Sequence, residues 1–153
     1  MTATAPSAPT TVEEVLRALE QAGDPRLRAQ NIKRGAGENQ FGVKMGDLRT
    51  LAKAIKSNHE LGLALWATGQ LEARQLATLI IHPKILSAED LERMTSEVTY
   101  GWLADWLMSY VTRQHPKHEA LRERWMNSAH PWLARAGWSL TADRVAKSPQ
   151  GLD

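Results

Sequence analysis

The sequence predicts an all-α fold of antiparallel helix pairs, and three observations support this prediction. Apolar residues recur at helical spacing along most of the chain, capping residues and glycines or prolines separate the apolar runs, and no segment alternates with the period of two that a half-buried strand requires. A length of 153 residues with 42% hydrophobic content suits one domain with an ordinary core. We therefore expect a single helical-repeat domain over residues 11–153, preceded by a disordered tail at residues 1–10.

Capping residues and helix breakers place the first two helices. Thr11, followed three residues later by Glu14, forms a capping box at the start of a helix that Gly23 ends. The dipeptide Asp24-Pro25 then opens a second helix, because Asp is a good N-cap and Pro suits the first helical position. The glycine-rich stretch "GAGENQFGVKMG" ends that helix and predicts the longest irregular connection in the chain.

The remaining helices follow from the same signals. A third helix is expected from about Asp47, a fourth over "HELGLALWATG", and a fifth over "LEARQLATLII", which the His82-Pro83 step ends. Ser87 with Asp90 starts a sixth helix that continues to about Val98. Three more are predicted at residues 100–114, 116–127 and 131–147.

Three of the predicted helices share an apolar i, i+3, i+7 triplet that recurs at intervals of 43 and 42 residues. The triplets are Leu48/Leu51/Ile55, Leu91/Met94/Val98 and Leu133/Ala136/Leu140. This period is typical of paired-helix repeats of the HEAT and armadillo type. It predicts a HEAT-like (ARM-type) α-solenoid whose concave basic groove suits a long ligand. The alternative is that amphipathic helices share such triplets by chance.

Positive charge is concentrated near the amino terminus, although the net charge of the whole chain is only +2. Residues 25–56 contain eight basic and two acidic residues, a local net charge of +6. Such a segment can bind a polyanion, because each Lys or Arg that meets a phosphate releases a condensed counterion. The alternative is a solvated helix surface. The basic residues are Arg26, Arg28, Lys33, Arg34, Lys44, Arg49, Lys53 and Lys56.

Several classes of protein are disfavoured by what the sequence lacks. It has no cysteine, no glycine-rich phosphate loop, no G-x-S-x-G elbow and no H-E-x-x-H motif, so we expect neither a metal nor any other cofactor. His115 and His118 are three residues apart, but without a further ligand at suitable spacing they are interpreted as surface residues at a helix start. No apolar run is long enough to span a membrane. A cytoplasmic monomer without membrane contact is expected.

An aromatic cluster surrounds a single acidic residue in "YGWLADWLMSYV". Seven of the nine aromatic residues follow position 99, and Trp102 and Trp106 are spaced to lie on one helix face, with Asp105 beside it. Each tryptophan taken alone is better explained by packing. A carboxylate among aromatic rings loses solvation, so Asp105 is expected to need a partner such as Arg135 or to have a functional role.

Three segments of the sequence resemble those of a known family. "GENQFGVKMGDLRTLAKAI", "LALWATGQLEARQLATLII" and "PWLARAGWSL" are similar to the DNA alkylation repair proteins, which are DNA glycosylases built from HEAT-like helix pairs. The resemblance covers about residues 25–148. It implies a concave groove that holds duplex DNA, and excision of cationic N3- or N7-alkylpurines by hydrolysis of the glycosidic bond without burying the base in a pocket, an exception to base flipping.

The chemistry of such an excision needs neither a metal nor a covalent nucleophile. The alkylated purine is a cationic leaving group, so the protein must only stabilise the oxocarbenium-like sugar and position a water. Aromatic faces and one carboxylate can do this. The implied roles are sugar contact for Trp102, Trp106 and Asp105, contact with the phosphate beside the lesion for Arg135, and grip on other phosphates for Lys33, Arg34, Lys44, Arg49 and Lys53.

The match to active family members is incomplete at the tryptophan. Those members are similar in having a Trp four residues before the Asp, an Arg on a later helix, and a second Trp further along. Arg135 matches the arginine, but Trp102 precedes Asp105 by only three residues, and the position four before Asp105 is Gly101. The second Trp is expected beyond Asp153, because the chain ends one or two helix pairs earlier than the family pattern, which indicates either a fragment or a C-terminally shortened family member. A non-catalytic HEAT-like scaffold that binds DNA or a protein partner is the alternative function.

Overall fold

A computed structural model describes residues 7–147, and within this range the chain forms nine α-helices, one 3-10 turn and no strand. The all-α prediction is therefore confirmed. The helices are α1 (Val12–Ala22), α2 (Pro25–Lys33), α3 (Met45–Ile55), α4 (His59–Ala67), α5 (Leu71–Ile80), α6 (Ala88–Ser96), α7 (Gly101–Tyr110), α8 (His118–Trp125) and α9 (Pro131–Lys147). None of these helices is long and apolar enough to cross a bilayer.

The predicted caps hold the starts of three helices. Thr11 Oγ1 accepts the N–H of Glu14 at 3.2 Å, Asp24 Oδ1 accepts that of Arg26 at 2.8 Å, and the Ser87 hydroxyl accepts the N–H of Asp90 at 3.0 Å. These bonds satisfy N–H groups that have no partner within the helix. In α1 the carboxylate of Glu14 accepts the backbone N–H of Thr10, whereas in a standard capping box it would accept that of Thr11. Of the tail predicted at residues 1–10, residues 1–6 lie outside the described range, and 7–10 precede α1 without regular structure.

Helices α3 and α7 depart from their predicted bounds. Helix α3 begins at Met45, so Asp47 lies in its first turn, where a carboxylate interacts favourably with the positive end of the helix dipole. The segment predicted as one helix at 100–114 ends at Tyr110 and continues as a 3-10 turn, Thr112–Gln114. Val111, at φ −123° and ψ −62°, leaves the α conformation and ends α7. Pro116 explains the end of the 3-10 turn, because the residue before a proline avoids the α conformation, and His115 is indeed extended.

The helices group into two compact units, which meet in sequence between Ile81 and His82. Each is described by itself, and the prediction of a single domain stays a prediction. In the first unit α5 packs against both α3 and α4, and α1 contacts α4 and α5. The three-residue link between α4 and α5 lets the second helix fold back on the first. Fully buried side chains at the centre include Val15, Leu48, Leu65 and Leu76.

A buried carboxylate holds the glycine-rich connection between α2 and α3. The side chain of Glu72 on α5 is 1% exposed and accepts the backbone N–H groups of Phe41, Gly42 and Val43 at 2.9, 3.2 and 3.3 Å. Gln70 donates a fourth bond to it at 2.7 Å. Gly42 has φ +77°, and a Cβ there would lie 2.4 Å from the backbone oxygen of Asp24, so only glycine fits.

In the second unit α9 is the central helix. It packs against α8 and also contacts α6 and α7. Trp125 of α8 is fully buried, and its ring N–H donates to Glu92 at 2.9 Å. Gly137 of α9 permits the close approach of α8, because a Cβ at this position would lie 2.3 Å from the backbone nitrogen of Met126. The predicted helix at 116–127 is thereby confirmed with shorter bounds, His118–Trp125.

Candidate nucleic-acid interface and catalytic cluster

Asp105 on α7 and Arg135 on α9 form an ion pair at the surface of the second unit. Arg135 Nη2 donates to Asp105 Oδ1 at 3.1 Å, and the two side chains are 47% and 59% exposed. The sequence suggested Arg135 as the partner of this acid, and that pairing is confirmed. The reason given for it is wrong, because a carboxylate that is more than half exposed is not desolvated by its aromatic neighbours. Its exposure leaves Asp105 open to a ligand from solvent.

Aromatic rings lie on both helices of this pair. The Arg135 guanidinium lies over the ring of Trp132, 5.6 Å from the centroid, within the range of a cation–π contact. On α7, the ring of Trp102 is half-buried and lies 5.4 Å from that of Tyr100. Trp132 is one of the seven aromatic residues after position 99, and the sequence assigned it no role. Its i, i+3 spacing to Arg135 was the signal that could have identified the contact.

Trp106 has a different environment from Trp102. Its side chain is only 7% exposed and makes an edge contact with Tyr110 at 5.6 Å between ring centroids. This burial favours a packing role in the second unit, as the sequence favoured for any tryptophan taken alone. The predicted contact of the Trp106 ring with a sugar stays a prediction, and Trp102 is the more accessible of the two rings.

A small cleft opens beside Arg135. It has a volume of about 20 Å³, which is room for about one water molecule, and it lies among α6, α7 and α9. Its lining is largely apolar, with Trp132 and Arg135 together with Val98, Leu107 and Met108.

The five predicted phosphate ligands are all exposed and all lie in the first unit. Lys33 and Arg34 end α2, and Lys44 is the N-cap of α3. Arg49 and Lys53 lie on one face of α3, because residues four apart are neighbours on a helix. The neighbouring cation Arg28 is used internally, since its guanidinium donates to the backbone oxygens of residues 38 and 40 at 2.6 and 3.0 Å.

The interpretation of His115 as a surface residue is wrong. His115 is 3% exposed, its Nε2 lies 2.7 Å from the backbone oxygen of Leu86, and its Nδ1 accepts the N–H of Lys117 at 3.0 Å. Both ring nitrogens are thus within hydrogen-bond distance of backbone atoms. His118 is exposed, as expected. Among residues 7–147 no three His, Cys, Asp or Glu side chains are arranged to hold a metal ion.

Comparison with known proteins places these features in a class. Short paired helices throughout the described range define a helical-repeat protein, and the family model of the DNA alkylation repair enzymes matches residues 15–151. The chain belongs to the DNA alkylation repair enzyme family. The resemblance of the three sequence segments to this family is therefore confirmed. No protein of curated function matches the chain.

A solved structure is similar to this chain over most of its length. It is described as a member of a new family of proteins related to the HEAT-like repeat DNA glycosylases, with affinity for branched DNA structures. The two share 31% sequence identity with a TM-score of 0.78. The match covers 85% of this chain and 55% of the other, so the chain spans about half the length of that relative. The predicted fold of HEAT-like helix pairs is confirmed by this similarity.

Proposed function

We propose that the chain binds duplex DNA and excises cationic N3- or N7-alkylpurines by hydrolysis of the glycosidic bond, as a metal-independent DNA glycosylase. The observation that carries this proposal is the exposed ion pair of Asp105 and Arg135, with Trp102 and Trp132 on the same two helices. A carboxylate, a guanidinium and two aromatic faces are the groups that excision of a cationic base needs.

The role proposed for Asp105 is electrostatic. As the glycosidic bond breaks, positive charge develops at C1′ of the sugar, and the carboxylate stabilises it or orients the attacking water. Arg135 contacts the phosphate beside the lesion and holds Asp105 in place through the 3.1 Å bond. The bond between C1′ and the purine nitrogen breaks, its electrons neutralise the cationic base, and the water adds to C1′ with loss of a proton to solvent.

Binding to the phosphates of the DNA backbone is assigned to the cations of the first unit. Lys33, Arg34, Lys44, Arg49 and Lys53 are exposed, and a charge concentrated in this way attracts a polyanion before any specific contact forms. We propose that the protein acts as a single-domain monomer in the cytoplasm, a reducing compartment in which a chain without cysteine is common. A sedimentation measurement tests the oligomeric state.

Release of methylated base from duplex DNA tests the proposal. The protein is incubated with duplex containing N7- or N3-methylpurine, beside the variants Asp105→Asn and Asp90→Asn. Asp90 is the matched control, because it also pairs with a surface arginine, Arg93 at 2.8 Å, but on α6. Release by the wild type and by Asp90→Asn, but not by Asp105→Asn, supports the assignment. Equal release by both variants removes Asp105 from the chemistry.

A second candidate function is binding of branched DNA without excision. The observation that favours it is the 31% identity to a protein of a family described as having affinity for branched DNA. In this case the wild type releases no base, yet it binds a four-way junction more tightly than a duplex of equal length. If neither DNA is bound at low salt, the remaining alternative is a helical scaffold for a protein partner.

A further inference from the structure

A second concave site lies in the second unit, among the 3-10 turn, α8 and α9. The cavity has a volume of about 190 Å³. None of its lining residues belongs to the cluster around Asp105. Leu140 is the one apolar lining residue, and the others are ionisable: Arg113, His118, Glu119, Asp143, Arg144 and Lys147.

Each of the two carboxylates in this cavity is already engaged by an arginine. Asp143 accepts the Nε–H of Arg113 at 2.5 Å. Glu119 accepts bonds from Arg122 at 2.8, 3.1 and 3.1 Å, and the Arg122 side chain is only 10% exposed. The hydrogen bonds from Arg122 hold the pKa of the Glu119 carboxyl below its usual range, and burial opposes them. Each of the two acids is therefore paired with an arginine within the fold.

Positive charge is in excess once these pairs are accounted for. Arg144 also contacts Glu119, which it shares with Arg122, and Lys147 lies one turn beyond Asp143 on α9. Three permanent cations, Arg113, Arg144 and Lys147, line the cavity beside two carboxylates, which leaves one positive charge in excess. A concave surface with an excess of one sign focuses the electrostatic potential onto a small ion of the opposite sign.

We propose that this cavity binds a phosphate group. A phosphate carries several acceptor oxygens, and guanidinium groups match their geometry. Arg113 is held in place by Asp143 and by the Ser109 hydroxyl at 3.3 Å, and Arg144 by Glu119, so little side-chain freedom is lost when the anion arrives. Lys147, at the end of α9, supplies the third cation. The phosphate is either part of the DNA backbone or a free phosphate.

Titration with inorganic phosphate tests the site independently of the proposed DNA function. The amide resonances of the 15N-labelled protein are followed at constant ionic strength, with chloride replaced by phosphate. We expect saturable shifts confined to the residues around the cavity. Lys147→Gln breaks none of the ion pairs described above and should weaken binding about four-fold, the effect of one charge at ~5 Å in water. Arg124→Gln is the control, because this 70% exposed arginine pairs with Glu92 and does not line the cavity.

The same variants in DNA binding distinguish the two sources of phosphate. If the cavity takes a backbone phosphate, Lys147→Gln lowers the salt dependence of duplex binding by about one counterion, while Arg124→Gln leaves it unchanged. If only the free anion binds, the phosphate titration succeeds and the salt dependence is the same in both variants. Shifts that do not saturate, or that are equal in Lys147→Gln and Arg124→Gln, overturn the proposal whether or not the protein binds DNA.

Discussion

Arg135 Nη2 and Asp105 Oδ1 lie 3.1 Å apart, and the bond joins α7 to α9 at a point where both side chains remain about half exposed. An ion pair in this position contributes little to stability, because water solvates both charges well in its absence. A pair that stabilises the fold so little is available for a role in ligand binding or chemistry.

Replacing Arg135 should therefore separate stability from activity. Arg135→Ala is expected to change the free energy of unfolding by less than about 1 kcal/mol, because the pair is solvent-exposed. The rate of base release should fall about 100-fold, the size of effect seen when one electrostatic group is removed from a transition state. Arg135→Lys keeps the positive charge but loses the planar guanidinium and its stacking on Trp132. Its rate of base release should therefore lie between those of the wild type and Arg135→Ala. A loss of several kcal/mol in Arg135→Ala would instead indicate a structural role.

The cations on α3 should control the salt dependence of DNA binding. Arg49→Ala and Lys53→Ala are each expected to weaken duplex binding at low salt and to reduce the slope of log K against log salt by about 0.9. Lys84→Ala is the control, because Lys84 is exposed but lies in the second unit outside the basic segment. The measurement is fluorescence anisotropy at several salt concentrations. Identical slopes for all three variants would remove α3 from the interface.

Glu72 should be essential for the stability of the first unit. Glu72→Ala removes the acceptor of four N–H donors, three of them on the backbone of residues 41–43. Each buried donor that is left without an acceptor costs about 1 kcal/mol or more. We expect a loss of about 3 kcal/mol in urea unfolding, beyond the usual range for surface changes. Glu20→Gln, at an exposed position on α1, should change the unfolding free energy by less than about 0.5 kcal/mol.

The sequence predicts this fold well where the signals are local. Thr11, Asp24 and Ser87 cap helices that begin as expected, because each cap bonds to an N–H two or three residues away. The irregular connection after α2 was also expected from its glycines. Its attachment to Glu72 was not, since the acceptor lies about thirty residues further along the chain. Periodicity reports which face of a helix is apolar but carries no information on such distant partners.

In the candidate site, too, the sequence predicts some features correctly and misses those that depend on contacts between distant residues. Asp105 and Arg135 could be suggested as partners, because the sequence shows an acidic residue in an aromatic run and a basic residue on a later helix that can supply its counter-charge. Exposure could not be read from composition: Asp105 is open although it lies in an aromatic run, and His115 is buried although it precedes a proline at a predicted helix start. Both outcomes depend on how α6 to α9 pack together.

Acid should remove the contribution of Glu119 to stability. Hydrogen bonds from Arg122 lower the pKa of Glu119 in the folded protein from its ordinary value of 4.5, and the charges of Arg122 and Arg144 act in the same direction. Because the folded pKa is the lower one, the stabilisation is fully present above about pH 4.5 and is lost as the pH falls through the folded pKa.

The difference in melting temperature between the wild type and Glu119→Gln should therefore be constant near neutral pH and shrink in acid. Glu123→Gln is the matched control, since Glu123 is on the same helix, is 69% exposed and lies 3.7 Å from Arg122. Its melting temperature should follow the wild type across the same pH range. A Glu119→Gln difference that does not change with pH would mean that the carboxyl is not stabilised in its charged form.

Two glycine-to-alanine substitutions in the second unit should have opposite effects. In Gly137→Ala the new Cβ would meet the backbone of Trp125 and Met126 at 2.3 to 2.7 Å, so α8 and α9 would have to move apart. We expect a loss of about 3 kcal/mol, because backbone atoms cannot yield as a flexible side chain can. At Gly101, the first residue of α7, an added Cβ would have no neighbouring atom within 4 Å. Gly101→Ala should stabilise the protein by about 0.5 kcal/mol through the reduced entropy of the unfolded chain. Urea unfolding measures both, and a neutral Gly137→Ala would show that α8 and α9 are not packed this closely.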